Sequence, residues 1–514
     1  MGALEQRLNT ITADRLAGML RGVEKESLRT LPDGKLALTP HPQELGSPLT
    51  HPNITTDFSE SQLELVTGVH GSAEACLDEL TRIHQEVYRV LARHGEEMLW
   101  VASMPCGLPT DETIPLGRYG NSNVGRAKSV YRMGLGHRYG RRMQMISGIH
   151  YNWSLPGLDN AGYFGLIRNF RRNAFLLLYL FGASPAVCSS FVDGRQHALE
   201  LLAGKTMYRP HATSLRMGRL GYQSDAQASL AVSYNSLEGY AASLHEALSV
   251  PYPPYEAIGL QNLGGDYNQL DTSLLQIENE FYGTIRPKRV IAAGERPLHA
   301  LRERGVQYVE VRLMDLNPFL DMGIDADTMR FLDLFLLHAL LSDSPPDTPD
   351  EIEALKHNQH LTAERGREPG LRLQRGGAEV LLVDWAAEVL TELAPIARHL
   401  DALNGGSAYS GALAMAQARM EHPATLPSAQ VLQGIAAMEG QSFVGFARER
   451  SRAAREALVA LPYPVAEQAR FAALAAESTE AQKAIEAADA MPFEQYRAYY
   501  VSPDRLMPRT PSAA

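Results

Sequence analysis

Several short stretches in the first 340 residues alternate apolar and polar positions with period two, as strands with one face on a core do. The alternation predicts strands over residues 146–155, 276–282 and 307–313. Residues 22–38 alternate and turn at Pro32-Asp33-Gly34, which predicts a hairpin. Residues 73–94 instead place Leu77, Leu80, Val87 and Leu91 at helical spacing, and a leading helix is expected up to about residue 20. Past residue 340 the pattern changes. Residues 342–353 (SDSPPDTPDEIE) form a Pro/Asp-rich loop, and an Ala-, Leu- and Glu-rich helical stretch follows to 499. The expected organisation is an α+β body over 1–341, a linker over 342–353, a helical C-terminal portion over 354–499 and a loose tail over 500–514.

Composition narrows the class. The chain has 514 residues, 45% of them hydrophobic and 21% charged, which is a soluble globular balance. A net charge of −11 without a Lys/Arg cluster speaks against a nucleic-acid partner. Cys76, Cys106 and Cys188 are sparse and lack CxxC spacing, which fits a reducing compartment. The N-terminus has no apolar signal region, and residues 174–186 are too short and too interrupted for a membrane span. A cytoplasmic protein without a membrane partner is expected.

The candidate chemistry lies in acidic residues inside these apolar stretches. Glu24 and Glu26 are two apart and share one strand face, and Glu278 and Glu280 repeat that spacing. Glu310 and Arg312 share a face with Tyr308, and His150 shares one with Asn152 and Ser154. In TTDFSESQLELVT, Thr56 or Asp57 reads as a helix N-cap, which would put Asp57 and Glu64 two turns apart on one helix face. Any single pair is explained by the wet face of a half-exposed strand. A convergent set instead calls for cations, since unpaired buried carboxylates are costly. Oxygen ligands with one His suit Mg²⁺ or Mn²⁺ better than Zn²⁺, and such a set facing a polyphosphate suits phosphoryl transfer.

Residues 119–135 open on Gly and Asn and become helical, so their amides, with Arg126, Lys128 and Arg132, can receive phosphates or a carboxylate; a solvated helix face is the plainer reading. Arg216 and Tyr222 lie in a turn-rich stretch where a guanidinium can fork onto an α-carboxylate. Two signals fail. Gly204-Lys205-Thr206 lacks the earlier glycine of a P-loop, and His357 and His360 sit in a charged loop without the HExxH pattern.

The blocks RGVEKESLR, HPQELGSPLTHPNITTDFSESQLEL, YGNSNVGRAKSVYRMGL, SGIHYNWSLP, ATSLRMGRLGY, LQIENEFYGTIRPKR and YVEVRLMDLNPF resemble the proteobacterial glutamate–cysteine ligases, relatives of glutamine synthetase. The resemblance covers most of the chain to about residue 340. It implies a curved antiparallel sheet forming a funnel-shaped site, surrounded by helices, and ATP-dependent joining of glutamate's γ-carboxyl to the amine of cysteine. By motif it places Glu24, Glu26, Asp57, Glu64, His150 and Glu310 on divalent metals. It places Tyr131, Arg216, Tyr222, Tyr282 and Arg312 on the amino acids and the transferred phosphoryl group, with Arg132 a second catalytic candidate beside Arg312. Arg126 and Lys128 are the nucleotide candidates, Mg²⁺ or Mn²⁺ and ATP the expected cofactor and co-substrate, and a monomer or weak oligomer the expected assembly. Glu278 and Glu280 belong to a family motif, with a structural role as good as a metal one.

Some positions depart from the pattern. The chain runs directly from Pro156 into DNAGYFGLIRNF, Leu313 and Met314 follow Arg312, and Gly218 replaces a usual Ser. Leu313 is expected to point away from Arg312. The alternatives are a sibling ligase with another acceptor amine, a catalytically dead binding relative, and a stand-alone nucleotide-binding module.

Overall fold

Strand β1 (Leu20–Thr30) is the centre of the catalytic sheet. Residues 3–221, 226–227, 230–292 and 294–508 are described in this computed structural model. Around β1 lie β2 (Ile54–Thr56), β3 (Gln62–Val66), β4 (Met98–Leu99), β5 (Ile149–Ser154), β6 (Ile285–Lys288) and β7 (Tyr308–Met314). The order is β2-β3-β1-β5-β7-β6, with β4 on the far end of β1, and every pairing is antiparallel. The β5–β7 register shifts between Val311 and Met314, a bulge of the kind that bends a strand.

One face of this sheet is apolar. Val23, Leu65, Ile149, Tyr151, Val309 and Val311 are fully buried. They belong to the main hydrophobic core together with residues of helices α1 (Ala73–Leu91), α2 (Asn160–Phe181) and α3 (Ala326–Leu341). Ser72 caps α1 by accepting from the Ala75 amide at 3.2 Å, and Asp159 caps α2 by accepting from Gly162 at 2.8 Å. The chain thus passes from Pro156 into α2 within a few residues. A buried polar knot ties the sheet to the C-terminal helices. Asp333 of α3 pairs with Arg21 at 3.0 Å and accepts from the hydroxyls of Tyr151 at 2.8 Å and Tyr409 at 3.2 Å. The core runs from Leu8 to Leu506 and draws on both portions of the chain. No described helix is long and apolar enough to cross a membrane.

The structure corrects several expectations. The leading helix is two short ones, Ala3–Leu8 and Ala13–Ala17, separated where Thr12 caps the second. The 22–38 hairpin has its turn, with Gly34 at φ +86° and its amide donating to Leu31, but the return strand is a single bridge, Thr30 to Leu36. Residues 54–66 are not a helix but the hairpin β2–β3, because β-branched Ile54-Thr55-Thr56 and alternating 62–66 favour strands and Ser59 tightens the turn by accepting from the Ser61 amide. Residues 276–282 form no strand; Glu278–Glu280 is a 3₁₀ turn. His357 and His360 lie on a helix, Pro349–Arg365, that starts inside the stretch read as linker. Near the end, Pro503–Leu506 is a short helix whose Leu506 is fully buried, so this stretch is packed and not loose.

Candidate active site

The polar face of the sheet gathers the acidic residues. In the antiparallel register Glu24 stands opposite His150, Glu26 opposite Glu64, and Glu310 between Asn152 and Arg286. His150 Nδ1 lies 3.1 Å from Glu24, and its Nε2 lies 3.5 Å from Glu26. Asn152 donates to Glu24 at 2.8 Å and the Gly148 amide to Glu26 at 2.7 Å. Glu24, His150 and Glu310 each offer a ligand atom, and these atoms lie within 4.8 Å of one another. Asp57, at the mouth of the β2–β3 turn, and Glu64 complete the group, joined by a hairpin in place of the expected helix.

The charges are not balanced. Burial, and then the charges of Glu24, Asp57 and Glu26, push the Glu64 carboxyl well above the usual range. Glu26 is raised by burial and by Asp57. Glu310 is held well below it in spite of burial, because Lys288 and Arg312 face it. Lys288 Nζ lies 3.0 Å from Glu310, Arg312 donates to it at 2.8 Å, and Arg286 lies 3.7 Å away. Arg286 and Lys288 were not singled out from the sequence. They alternate on β6, a pattern masked by Pro287, which is tolerated because β6 is the edge strand. Beside β6 a cavity of about 240 Å³ has an apolar wall of Tyr240, Leu244, Ile291 and Leu298 and a cationic edge of Arg286 and Lys288.

The helix Asn123–Tyr139 supplies the cations opposite. Lys128 and Arg132, four apart and on one face, lie over the Tyr119 ring at 5.1 and 4.4 Å. Arg132 also donates to the Asp57 carbonyl. Burial, with Arg132 alongside, lowers the Lys128 ammonium to about 8. Arg126, about 200° further round the helix, is exposed and packs over Phe493 at 4.2 Å, so the structure does not bring it to the carboxylates. The amides expected to receive an anion are taken by the protein's own carboxylates, Glu486 on Asn121 and Asp489 on Asn123.

Arg216 is buried and donates to the Arg312 carbonyl at 2.8 Å. Behind it, at 4.0 Å, stands Asp315, which accepts from the hydroxyls of Ser184 and Ser214. Gly148 leaves room for this guanidinium, since a Cβ at that position would lie 2.1 Å from Arg216 Nη2 and displace it. Tyr282 accepts from Gln144 at 2.9 Å and meets Tyr139 edge-on, with ring centroids 5.6 Å apart. Tyr131 and Tyr282 pack against the same secondary core. Tyr222 lies outside the described residues. Leu313 is buried, in line with its expected direction away from Arg312.

Glu278 and Glu280 are held by protein cations. Glu278 pairs with Arg296 at 2.8 Å and accepts from the Leu298 amide, while Glu280 pairs with Arg138 at 2.9 Å and accepts from Tyr139. Glu278→Ala is therefore expected to lower stability by about 3–5 kcal/mol, because Arg296 is left buried without its carboxylate. Denaturant unfolding measures this loss, and the Mg²⁺ dependence of turnover should stay unchanged.

The chain matches the glutamate-cysteine ligase family model over residues 5–362. It is 47% identical to the glutamate–cysteine ligase of Alcanivorax borkumensis, covering 97% of this chain and 99% of that one. It is 48% identical to the Pseudomonas aeruginosa enzyme of the same name, with 94% of each covered. Among solved structures, the glutamate–cysteine ligase of Francisella tularensis in complex with AMP matches with a TM-score of 0.89 at 35% identity, over 94% of this chain and 97% of that one. A bifunctional glutathione synthetase from Pasteurella multocida matches with a TM-score of 0.70 at 26% identity, over 92% of this chain and 57% of that one. With sequence likeness along nearly its whole length and the same fold, the chain belongs to the glutamate–cysteine ligase family.

Proposed function

We propose that the carboxylate face of the sheet holds the divalent cations, Mg²⁺ or Mn²⁺, with which this ATP-dependent ligase activates the γ-carboxyl of glutamate before the amine of cysteine attacks it. The product is γ-glutamylcysteine, and the reaction is the first step of glutathione biosynthesis. The observation that carries the reading is the approach of Glu24, His150 and Glu310 donor atoms to within 4.8 Å, beside Glu26, Asp57 and Glu64. The donor set fits: hard oxygens and one imidazole suit these cations, and the mutual repulsion at Glu64 calls for positive charge. When bound, divalent cations would neutralise the phosphate oxygens of ATP.

The protein's own residues do the rest. Glutamate's γ-carboxylate is a poor acylating agent, so its oxygen attacks the γ-phosphorus of ATP, ADP leaves, and γ-glutamyl phosphate forms. Arg312 and Arg132 stabilise the charge on the phosphoryl group in transit. Arg216, fixed from behind by Asp315, holds a substrate carboxylate. Tyr131 and Tyr282 shape the space for the small acceptor. Its amine then displaces phosphate from the acyl phosphate. Lys128 adds positive charge at the phosphate side. The adenine ring enters the apolar cavity beside β6, with Lys288 and Arg286 between it and the carboxylates. On this placement Lys288→Met raises the KM for ATP more than that for glutamate.

The acceptor is tested with purified protein, ATP, Mg²⁺ and glutamate against a panel of amines, following phosphate release and product mass. Release with cysteine and the mass of γ-glutamylcysteine are expected. Release only with another amine would make this a sibling ligase, and release with none would favour a binding protein.

A further inference from the structure

The strand that carries Glu24 and Glu26 has a lysine between them, and its side chain goes the other way. Lys25 is 1% exposed, buried on the apolar face of the sheet between Leu65 and Ile149 on the neighbouring strands. Among the described residues it makes no ion pair, and its one hydrogen bond runs to His84 Nε2 at 2.7 Å. His84, on α1, is fully buried, and its Nδ1 lies 2.7 Å from the Leu80 carbonyl. A carbonyl only accepts, so Nδ1 carries the proton and Nε2 accepts from the lysine. The chain of donors thus runs from β1 through the imidazole to the backbone of α1.

A lysine in an apolar core whose one hydrogen bond runs to a neutral imidazole is costly to bury, and two apolar side chains of like size would fill the same space without that cost. Apolar packing has no direction, whereas a short hydrogen bond fixes distance and angle. The residue so fixed lies between two carboxylates on the opposite face. Ligands for a cation have to be held to within about 0.5 Å. We propose that Lys25 and His84 are a positioning pair that pins β1 to α1 and so sets the aim of Glu24 and Glu26 toward the divalent cations. This inference rests on the metal-binding reading of those two glutamates.

The double substitution Lys25→Met/His84→Leu removes both polar groups and keeps the volume. It is expected to melt at or above the wild-type temperature. The Mg²⁺ concentration for half-maximal phosphate release should rise about tenfold, the range seen when groups behind metal ligands are lost. The KM for cysteine should stay the same. His84→Gln, which keeps an acceptor within reach of Lys25, should restore the wild-type Mg²⁺ dependence, and His84→Leu alone should not. A double variant with wild-type Mg²⁺ dependence overturns the inference. If the double variant does not fold, equal Mg²⁺ dependence in His84→Gln and His84→Leu overturns it instead. The underlying metal reading fails separately, if Glu24→Gln leaves the Mg²⁺ dependence unchanged.

Discussion

Glu64→Gln is expected to lower turnover by about 10³ and to leave the metal-free protein at least as stable as the wild type. Both halves follow from one environment. Glu64 sits directly across the ladder from Glu26, with Asp57 and Glu24 close enough to push its carboxyl well up after burial has done so first. Like charges facing each other across a strand pair destabilise it, and a neutral isostere removes that repulsion while keeping the shape. The same change takes away a ligand from the proposed cation site. Losing about 4 kcal/mol of charge stabilisation there costs on the order of 10³ in rate. Thermal unfolding in EDTA and phosphate release under saturating ATP and glutamate give the two readouts. A variant with near-normal turnover would remove Glu64 from the metal site. A large fall in metal-free stability would mean that the carboxylate is paired in the fold.

Arg312→Met is expected to lower kcat by about 10²–10⁴ with a smaller change in the KM for glutamate, as for other cations that meet a transferring phosphoryl group. The guanidinium donates to Glu310 at 2.8 Å and shares that carboxylate with Lys288. Glu310 therefore keeps a cation in the variant, and the fold should survive. Arg312→Lys should recover only part of the rate, since an ammonium keeps the charge but loses the planar fork. Steady-state kinetics on the folded variants decide this, and a rise in KM with unchanged kcat would reassign Arg312 to ground-state binding.

The strand faces were legible because period two is a strong signal wherever one face is buried, and Glu24, Glu26, His150 and Glu310 were found that way. The Asp57–Glu64 pair was found with the wrong element. A seven-residue spacing fits two helical turns as well as it fits the two sides of a tight hairpin, and only the β-branched residues before it favour the hairpin. Glu278 and Glu280 show the limit of the carboxylate argument. Their spacing matches that of Glu24 and Glu26, yet their charges are met by Arg296, 18 residues on, and by Arg138, 142 residues back. No local pattern distinguishes a carboxylate waiting for a cation from one already paired in the fold. Arg286 and Lys288 were missed because Pro287 breaks the reading of a strand. Arg126 lies away from the carboxylates, over Phe493, because residue type alone does not say which side of a helix faces the sheet.

Divalent-cation binding by the polar face of this sheet can be measured without turnover. Titrating Mn²⁺ into the metal-free protein and following the free-ion EPR signal tests it directly. Saturable loss of the signal is expected in the wild type, with that binding lost in Glu64→Gln and Glu310→Gln and kept in Glu278→Ala. Equal Mn²⁺ binding by wild type, Glu64→Gln and Glu310→Gln would contradict it.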